Sequence, residues 1–201
     1  MSAITIDDRQ IQQIVHQVLW QVMGSPGSST NPPVTHPQEG ESSKSERKVE
    51  GRKVIAIGAD HGGFDLKEIL KSDLSGMGLD VNDVGTFSKA AVDYPDYAHE
   101  VARLVGTGKA WRGIMIDGAG TGSCIVANKV PGVRAGMAYD YSSAVNSREH
   151  NDTNVLTLGA GLIGVNLAKQ IVKVWISTEF GGERHSRRVD KISKVEKLYI
   201  K

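Results

Sequence analysis

Cysteines, aromatic rings, long apolar runs and net charge are all scarce in this sequence. The chain of 201 residues has a single cysteine, Cys124, which excludes an intramolecular disulfide and fits the reducing cytoplasm. Aromatic residues make up 5% of the chain and the formal net charge is +1, whereas nucleic-acid binding uses basic patches and stacking rings. No stretch approaches the roughly 18 apolar residues of a membrane span, and no basic region typical of a secretory signal precedes the first apolar run. We therefore expect a soluble cytoplasmic protein that binds neither nucleic acid nor membrane.

An amphipathic helix is predicted within residues 1–24. Its apolar side chains recur at the spacing of one helix face, and they are Ile11, Ile14, Val15, Val18, Leu19 and Val22. Gly24 is a natural stop for this helix. Residues 25–51 hold four of the six prolines among many Ser, Glu and Lys residues, and such a segment cannot bury enough apolar surface to fold. The sequence thus predicts a helix joined by a flexible linker to the rest of the chain.

The predicted helix has no packing partner within the first 51 residues, and two interpretations stay open. The helix folds back on the following domain or pairs with its copy in an oligomer, or it docks on another protein. The stretch resembles the encapsulation peptides that recruit enzymes into bacterial microcompartments, which also join a short amphipathic helix to the enzyme by a linker rich in Pro, Ser and Gly. The resemblance implies that residues 4–24 bind a shell protein and that the chain resides inside a microcompartment.

Residues 52–201 alternate between strand and helix patterns. The predicted strands are 53–58, 80–84, 113–117, 133–138 and 154–158. The predicted helices are 64–77, 94–105, 123–130, 142–148 and 163–177. Strict alternation with short connections predicts a doubly wound, five-stranded parallel sheet with helices on both faces, an α/β/α domain of three layers.

A glycine-punctuated run from Asp117 to Gly122 follows the third predicted strand. A strand, a tight glycine loop and a helix N-terminus present backbone amides and the positive end of a helix dipole to one point. The acid Asp117 is the last side chain that the strand delivers there, and ligands of open α/β sheets bind at that end of the strands. The run therefore predicts an anion site with an ionisable group beside it.

Other polar groups flank further predicted strands. Asp60 and His61 follow the first strand and can orient a sugar hydroxyl or a phosphate, or form a turn with a capping aspartate. His150 precedes the fifth strand and is either a general acid or a structural histidine. Arg184 and Arg188 stand four residues apart, which on a helix gives either a phosphate clamp or a solvated basic face. No cluster has metal-ligand spacing, and we expect neither a metal nor another cofactor.

These motifs resemble the ribose-5-phosphate isomerase B family, which includes the galactose-6-phosphate isomerase subunits. The motifs occur in order across residues 52–201, and they are Gly58-Ala59-Asp60-His61-Gly62-Gly63, Asp93-Tyr94-Pro95, Gly118-x-Gly120-x-Gly122, Ala127-Asn128-Lys129, His150-Asn151-Asp152-Thr153-Asn154 and Arg184-His185-x-x-Arg188. The resemblance implies a Rossmann-like fold and a homodimer or homotetramer with active sites at the dimer interface. It also implies an aldose–ketose isomerase that moves a proton between C2 and C1 of a sugar phosphate through an enediolate.

The resemblance also implies roles for individual residues. His150 opens the furanose ring, and the amides of the loop formed by Gly118, Gly120 and Gly122 stabilise the enediolate oxygen. Arg184 and Arg188 hold the phosphate with His61. The remaining sugar-binding residues are Asp60, Tyr94 and Asn151.

The sequence departs from the family pattern in three respects, at four positions. Asp117 stands where one branch has a catalytic cysteine, and Ser123 stands where another branch has a glutamate. A carboxylate at 117 can still act as the base, since carboxylates serve other isomerases, while Cys124 is read as a small buried residue. Ala119 replaces a Thr or Ser hydroxyl, which Thr121 or Ser123 would have to supply to the substrate. Gly161 replaces an arginine of the phosphate grip. Two interpretations follow, an isomerase with Asp117 as its base and a catalytically altered or silent relative with a binding or assembly role.

Overall fold

A computed structural model describes residues 53–199. The helix predicted within residues 1–24 and the linker predicted over 25–51 lie outside the described residues. In chain order the strands are β1 (Val54–Ala59), β2 (Asp80–Asp83), β3 (Arg112–Asp117), β4 (Ala135–Met137) and β5 (Val155–Gly159). The helices are α1 (Phe64–Gly76), α2 (Tyr94–Gly106), α3 (Thr121–Ala127), α4 (Tyr141–Glu149), α5 (Val165–Ser177) and α6 (Glu183–Tyr199).

The five strands form one parallel sheet in the order β2-β1-β3-β5-β4. The predicted doubly wound sheet is therefore confirmed. The chain leaves β1 for β2 on one side and later returns to place β3 on the other side. The gap between β1 and β3 is consequently the point at which the winding reverses, and open α/β sheets bind ligands in such gaps.

Apolar side chains cover both faces of the sheet. Ile55 and Ile114 pack on one face against α1 and α5, where Leu70 and Trp175 are buried. Ala56 and Met115, their neighbours along the strands, pack on the other face against α2. Because successive strand residues point to opposite faces, a strand covered on both faces must be apolar throughout, as β3 and β5 nearly are.

Two features of the described chain differ from the sequence prediction. Strand β4 spans Ala135–Met137, which is shorter than the predicted 133–138. Helix α6 was not predicted as a separate element, because it is strongly polar and His185 is its one fully buried residue within Glu183–Tyr199. None of the helices within residues 53–199 combines the length and the apolar character that a membrane span requires.

Candidate active site

The Asp117 carboxylate lies inside the glycine loop that follows β3. Its Oδ1 accepts hydrogen bonds from the amides of Ala119, at 2.8 Å, and of Gly120. Its Oδ2 accepts from the amide of Ser123, at 3.2 Å, and from the Ser123 hydroxyl. A carboxylate offers about four lone-pair sites, so these donors occupy all of them. Three amides of the predicted anion site, those of Ala119, Gly120 and Ser123, therefore bind the side chain of Asp117 itself.

Two glycines allow the loop to take this shape. Gly120 has a φ of +80°, a left-handed conformation that costs glycine little and other residues more. Gly122 lies under the ring of Tyr94, and a Cβ at position 122 would stand 2.5 Å from the Tyr94 Cζ. The loop is thereby closed around Asp117, which is 4% exposed, and covered on one side by a tyrosine ring.

The turn after β1 lies beside this loop. Asp60 is buried and its Oδ1 accepts a hydrogen bond from the amide of Gly63, at 3.0 Å, so it forms the predicted turn. The Nδ1 atom of His61 lies 3.2 Å from the Val92 carbonyl oxygen and 3.3 Å from the Val92 nitrogen. This leaves Nε2 of an exposed ring for a ligand.

One group of predicted site residues thus meets at the carboxyl ends of β1 and β3. Its members, which we call the carboxyl-edge cluster, are Asp60, His61, Tyr94, Asp117, Gly118, Gly120, Gly122 and Ser123. A Cβ at Gly62 would lie 3.3 Å from Asp60 Oδ1 and 3.8 Å from the Gly118 nitrogen. The two turns are therefore close enough for one small molecule to touch both.

A second group surrounds His150, at the end of α4. The Asn146 side-chain amide lies 2.7 Å from His150 Nδ1, and Asn151 Nδ2 donates to Asn146 Oδ1 at 3.3 Å. The ring of His150 stacks on that of His185, with centroids 4.1 Å apart and planes 11° from parallel. Exposed Arg184 and Arg188 lie on the same helix as His185. We call the set of Asn146, His150, Asn151, Arg184, His185 and Arg188 the amino-edge cluster.

The two clusters lie at opposite ends of the sheet. In the register of β3 and β5, Gly113 pairs with Val155 and Asp117 pairs with Gly159. His150 and Asn151 come before Val155 and therefore lie at the amino end, whereas Asp117 lies at the carboxyl end. Four strand residues span roughly 13 Å, and a reacting pair needs about 3 Å. One chain does not bring all of its predicted site residues together.

The amino-edge cluster is positively charged. Burial lowers the pKa of His185, and the neighbouring His150, Arg184 and Arg188 lower it further, while Glu149 opposes them. Arg184 Nε donates to His185 Nε2 at 3.2 Å, which keeps that nitrogen an acceptor. Sequence reasoning missed His185 and Asn146, although His185 stands inside the Arg184–Arg188 motif and Asn146 lies one helical turn before His150.

Two further features lie outside the carboxyl-edge cluster. Cys124 is partly rather than fully buried, and burial raises the pKa of its thiol, which disfavours a thiolate nucleophile. A cavity of about 630 Å³ is lined by Asn146, Asn151 and Met137 among others, but by no member of the carboxyl-edge cluster. Within residues 53–199, no three His, Cys, Asp or Glu side chains are placed to hold a metal ion.

Comparison with known proteins places these motifs in one family. The family model described as Ribose/Galactose Isomerase matches residues 55–192. Ribose-5-phosphate isomerase B of Escherichia coli is 45% identical over 144 residues, which are 72% of this chain and 97% of that protein. D-erythrulose-4-phosphate isomerase of Pectobacterium atrosepticum is 42% identical over 144 residues, or 71% of this chain and 94% of that protein. The solved structure of Clostridium thermocellum ribose-5-phosphate isomerase B superposes with a TM-score of 0.72 at 47% identity, covering 73% of this chain and 99% of that one.

Proposed function

Because this chain belongs to the ribose/galactose isomerase family, we propose that it interconverts an aldose phosphate and a ketose phosphate of the ribose 5-phosphate and ribulose 5-phosphate type. It is a sugar phosphate isomerase of the ribose-5-phosphate isomerase B type. The observation that carries the proposal is the carboxyl-edge cluster, where Asp60, His61 and the glycine loop meet between β1 and β3. Acids, an imidazole and backbone amides at this point suit a polyhydroxylated anion.

The active site is assembled from two copies of the chain. His150, Asn151, Arg184 and Arg188 lie at the amino end of the sheet and the remaining site residues lie at the carboxyl end. Both clusters can act on one substrate only if a second copy supplies the missing half. The exposure of Arg184 and Arg188 supports this arrangement, because neither guanidinium is covered by its own chain. A homodimer or homotetramer with shared sites follows.

His150 opens the furanose ring. The Asn146 side-chain amide faces its Nδ1, so the mobile proton of the neutral ring resides on Nε2. As the bond between C1 and the ring oxygen breaks, Nε2 gives its proton to that oxygen. The proton that the C1 hydroxyl releases as the carbonyl forms returns to Nε2, so the imidazole ends the step neutral and the number of protons is unchanged. Asp60, Tyr94 and Asn151 bind the hydroxyl groups of the open chain.

Asp117 takes the proton from C2 and returns it to C1, while the hydroxyl proton on O2 passes to O1, so no proton is gained or lost overall. Its four hydrogen-bond donors occupy the carboxylate, so the Ser123 hydroxyl must turn away before an oxygen can take the proton. The enediolate that forms carries negative charge on an oxygen. The amides of Gly118, Thr121 and Gly122 have no acceptor among residues 53–199, and they are the donors left for that oxygen.

The phosphate is held by Arg184 and Arg188 of one copy and His61 of the other. The two arginines are four residues apart on α6 and so lie on one face of the helix. Guanidinium groups bind phosphate oxygens in a fork geometry that a lysine does not reproduce. Gly161, which lies near the Gly118 carbonyl oxygen, contributes no charge to this grip.

The N-terminal segment directs the enzyme into a microcompartment. Its apolar stripe, from Ile11 to Val22, is the only part of residues 1–51 suited to a docked helix. We propose that residues 4–24 bind a shell protein and that residues 25–51 serve as the tether.

A catalytically altered or silent role is the second candidate. The observation in its favour is the set of four hydrogen bonds to the Asp117 carboxylate. A carboxylate that is fully hydrogen-bonded to its own loop has no free lone pair for a substrate. Such a chain would use the fold for binding or assembly.

Deuterium exchange distinguishes the two candidates. The purified full-length protein is incubated in heavy water with pentose and hexose phosphates, and incorporation of deuterium at C2 of the aldose or C1 of the ketose is followed by NMR. An isomerase exchanges this hydrogen and interconverts the two sugars. Binding of a sugar phosphate without exchange would establish the silent role. If the protein showed no binding and no exchange, both candidates would be overturned.

A further inference from the structure

His185 is the most buried polar side chain of the amino-edge cluster. It is 7% exposed, whereas Arg184 and Arg188 on the same helix are exposed. Its ring lies flat against that of His150, with the centroids 4.1 Å apart and an interplanar angle of 11°. The proposed mechanism does not use His185 directly, so its burial against His150 needs another explanation.

A hydrogen bond restrains each ring of the stack. His185 Nε2 accepts from Arg184 Nε at 3.2 Å, which leaves its proton on Nδ1. His150 Nδ1 lies 2.7 Å from the Asn146 side-chain nitrogen, and Asn146 is held in turn by Asn151. The His150 ring is thus restrained at one edge by a hydrogen bond and across one face by the His185 ring. Together these contacts determine which way Nε2 of His150 points.

We propose that His185 is a positioning residue for ring opening, its buried neutral ring being the platform that holds the His150 imidazole with Nε2 directed at the substrate. The inference rests on the proposed function, in which His150 donates the proton to the ring oxygen. His185 itself touches no reacting atom.

The surrounding charges suit a neutral platform. Arg184 and Arg188 from α6 and the ring of His150, just after α4, disfavour a positive charge at His185, and Glu149 at the end of α4 favours it. Two imidazole rings stacked this closely do not readily both carry a positive charge. The platform therefore stays uncharged while His150 exchanges its proton.

A residue that serves ring opening affects only substrates that form a ring. A pentose 5-phosphate closes into a furanose through its 4-hydroxyl and must be opened before isomerisation. A tetrose 4-phosphate has its 4-oxygen esterified and forms no such ring. A positioning residue for ring opening matters for the first substrate and not for the second.

The kinetic test compares His185→Ala with the parent enzyme on ribose 5-phosphate and on erythrose 4-phosphate. We expect kcat for the pentose to fall by about tenfold to a hundredfold, because misplacing a catalytic group by about 1 Å can cost that much. KM for the pentose and both constants for the tetrose should change little. His185→Phe keeps a flat ring against His150 and should recover most of the lost kcat. Arg187→Ala, an exposed neighbour on α6, is the matched control.

Equal losses on both substrates would overturn the proposal, since His185 would then serve the phosphate grip or the fold. An enzyme that turns over neither sugar would contradict the proposed function, and the positioning role is then decided without activity. The tautomer of His150 is read from the ¹⁵N shifts of its ring, assigned by comparison with His150→Gln. The parent should show a single Nε2–H form and His185→Ala a mixture of tautomers. A His150 spectrum unchanged in His185→Ala would overturn the positioning role.

Discussion

The buried hydroxyl of Ser123 donates a hydrogen bond to the carboxylate of Asp117, at the turn between β3 and α3. Both residues are departures from the pattern that the family resemblance implies, and the two are in direct contact. The serine fills the last lone-pair site of the aspartate, so the pair decides whether Asp117 is available for proton transfer.

Replacing Asp117 by Asn tests the proposed base. Asn retains the shape but has no basic oxygen, so isomerisation should fall by orders of magnitude, measured as kcat on ribose 5-phosphate. Its NH₂ group would also face the amide or hydroxyl donors of the loop, so the free energy of unfolding should drop by about 1–3 kcal/mol. Ser123→Ala, which removes one of the two hydrogen bonds to Oδ2 of Asp117, is the companion variant and should remain active. Unchanged turnover in Asp117→Asn would remove Asp117 from the mechanism.

Truncating Arg184 or Arg188 to Ala should mainly weaken substrate binding. A hydrogen bond to a charged group contributes about 1.5–3 kcal/mol, so KM should rise by about tenfold or more while kcat changes less. Lys at either position should recover only part of the loss, because it lacks the planar fork. Arg187→Ala provides the control for a general loss of positive charge. If the alanine variants bound a phosphorylated sugar as well as the parent protein, the clamp would have to lie elsewhere.

Mixing two inactive variants tests the shared active site. Asp117→Asn removes the base at the carboxyl end of the sheet, and His150→Ala removes the acid at the amino end. In a mixed dimer, one of the two sites combines the intact Asp117 of the His150→Ala chain with the intact His150 of the Asp117→Asn chain. Co-refolding equal amounts should therefore restore about a quarter of the parent activity. A mixture that forms mixed dimers, detected by a tag on one variant, and yet stays inactive would place each site within a single chain.

The stability of the enzyme should depend on His185 below neutral pH. Burial lowers the pKa of this imidazole from its ordinary value of 6.5, so the unfolded chain takes up the proton first as the pH falls. The contribution of His185 to stability is complete above pH 6.5 and is lost as the pH falls through its lowered folded-state pKa. Urea unfolding at several pH values should show a steeper loss of stability for the parent protein than for His185→Phe. Identical pH profiles would mean that His185 is not buried as a neutral ring.

Deleting residues 1–51 should leave an active enzyme, because the alternation of strands and helices begins only after residue 52. Circular dichroism and the isomerase assay on the truncated chain check this expectation. Fusing residues 1–24 to a fluorescent protein should produce foci in cells that make a microcompartment shell. A fusion in which Val15 and Leu19 are replaced by Ser is the control and should stay diffuse. A diffuse signal from the unaltered fusion, or an unfolded truncated domain, would instead assign the helix to the enzyme's own core or oligomer.

The fold could be predicted from the sequence almost completely. Strand β3 is a short apolar run between a loop and a glycine turn, and α2 shows apolar residues at helical spacing, so local patterns identify both elements. The family motifs added the candidate residues at the strand ends. Helix α6 was not predicted because its sequence is strongly polar overall, although apolar residues do recur every third position, at Val189, Ile192, Val195 and Leu198. This is the helix that carries Arg184, His185 and Arg188.

The sequence by itself determined the order of strands and helices and the glycine loop with its acid, because these follow from periodicity and turn chemistry within short segments. Only the tertiary structure decided where their side chains meet. It placed Asp117 and His150 at opposite ends of the sheet, since α4 runs back along the sheet before β5 begins. It also folded the loop amides onto Asp117 and stacked His185 on His150. Such contacts join residues that are distant in the chain, or they depend on the backbone conformation of a loop, and no local sequence pattern specifies them.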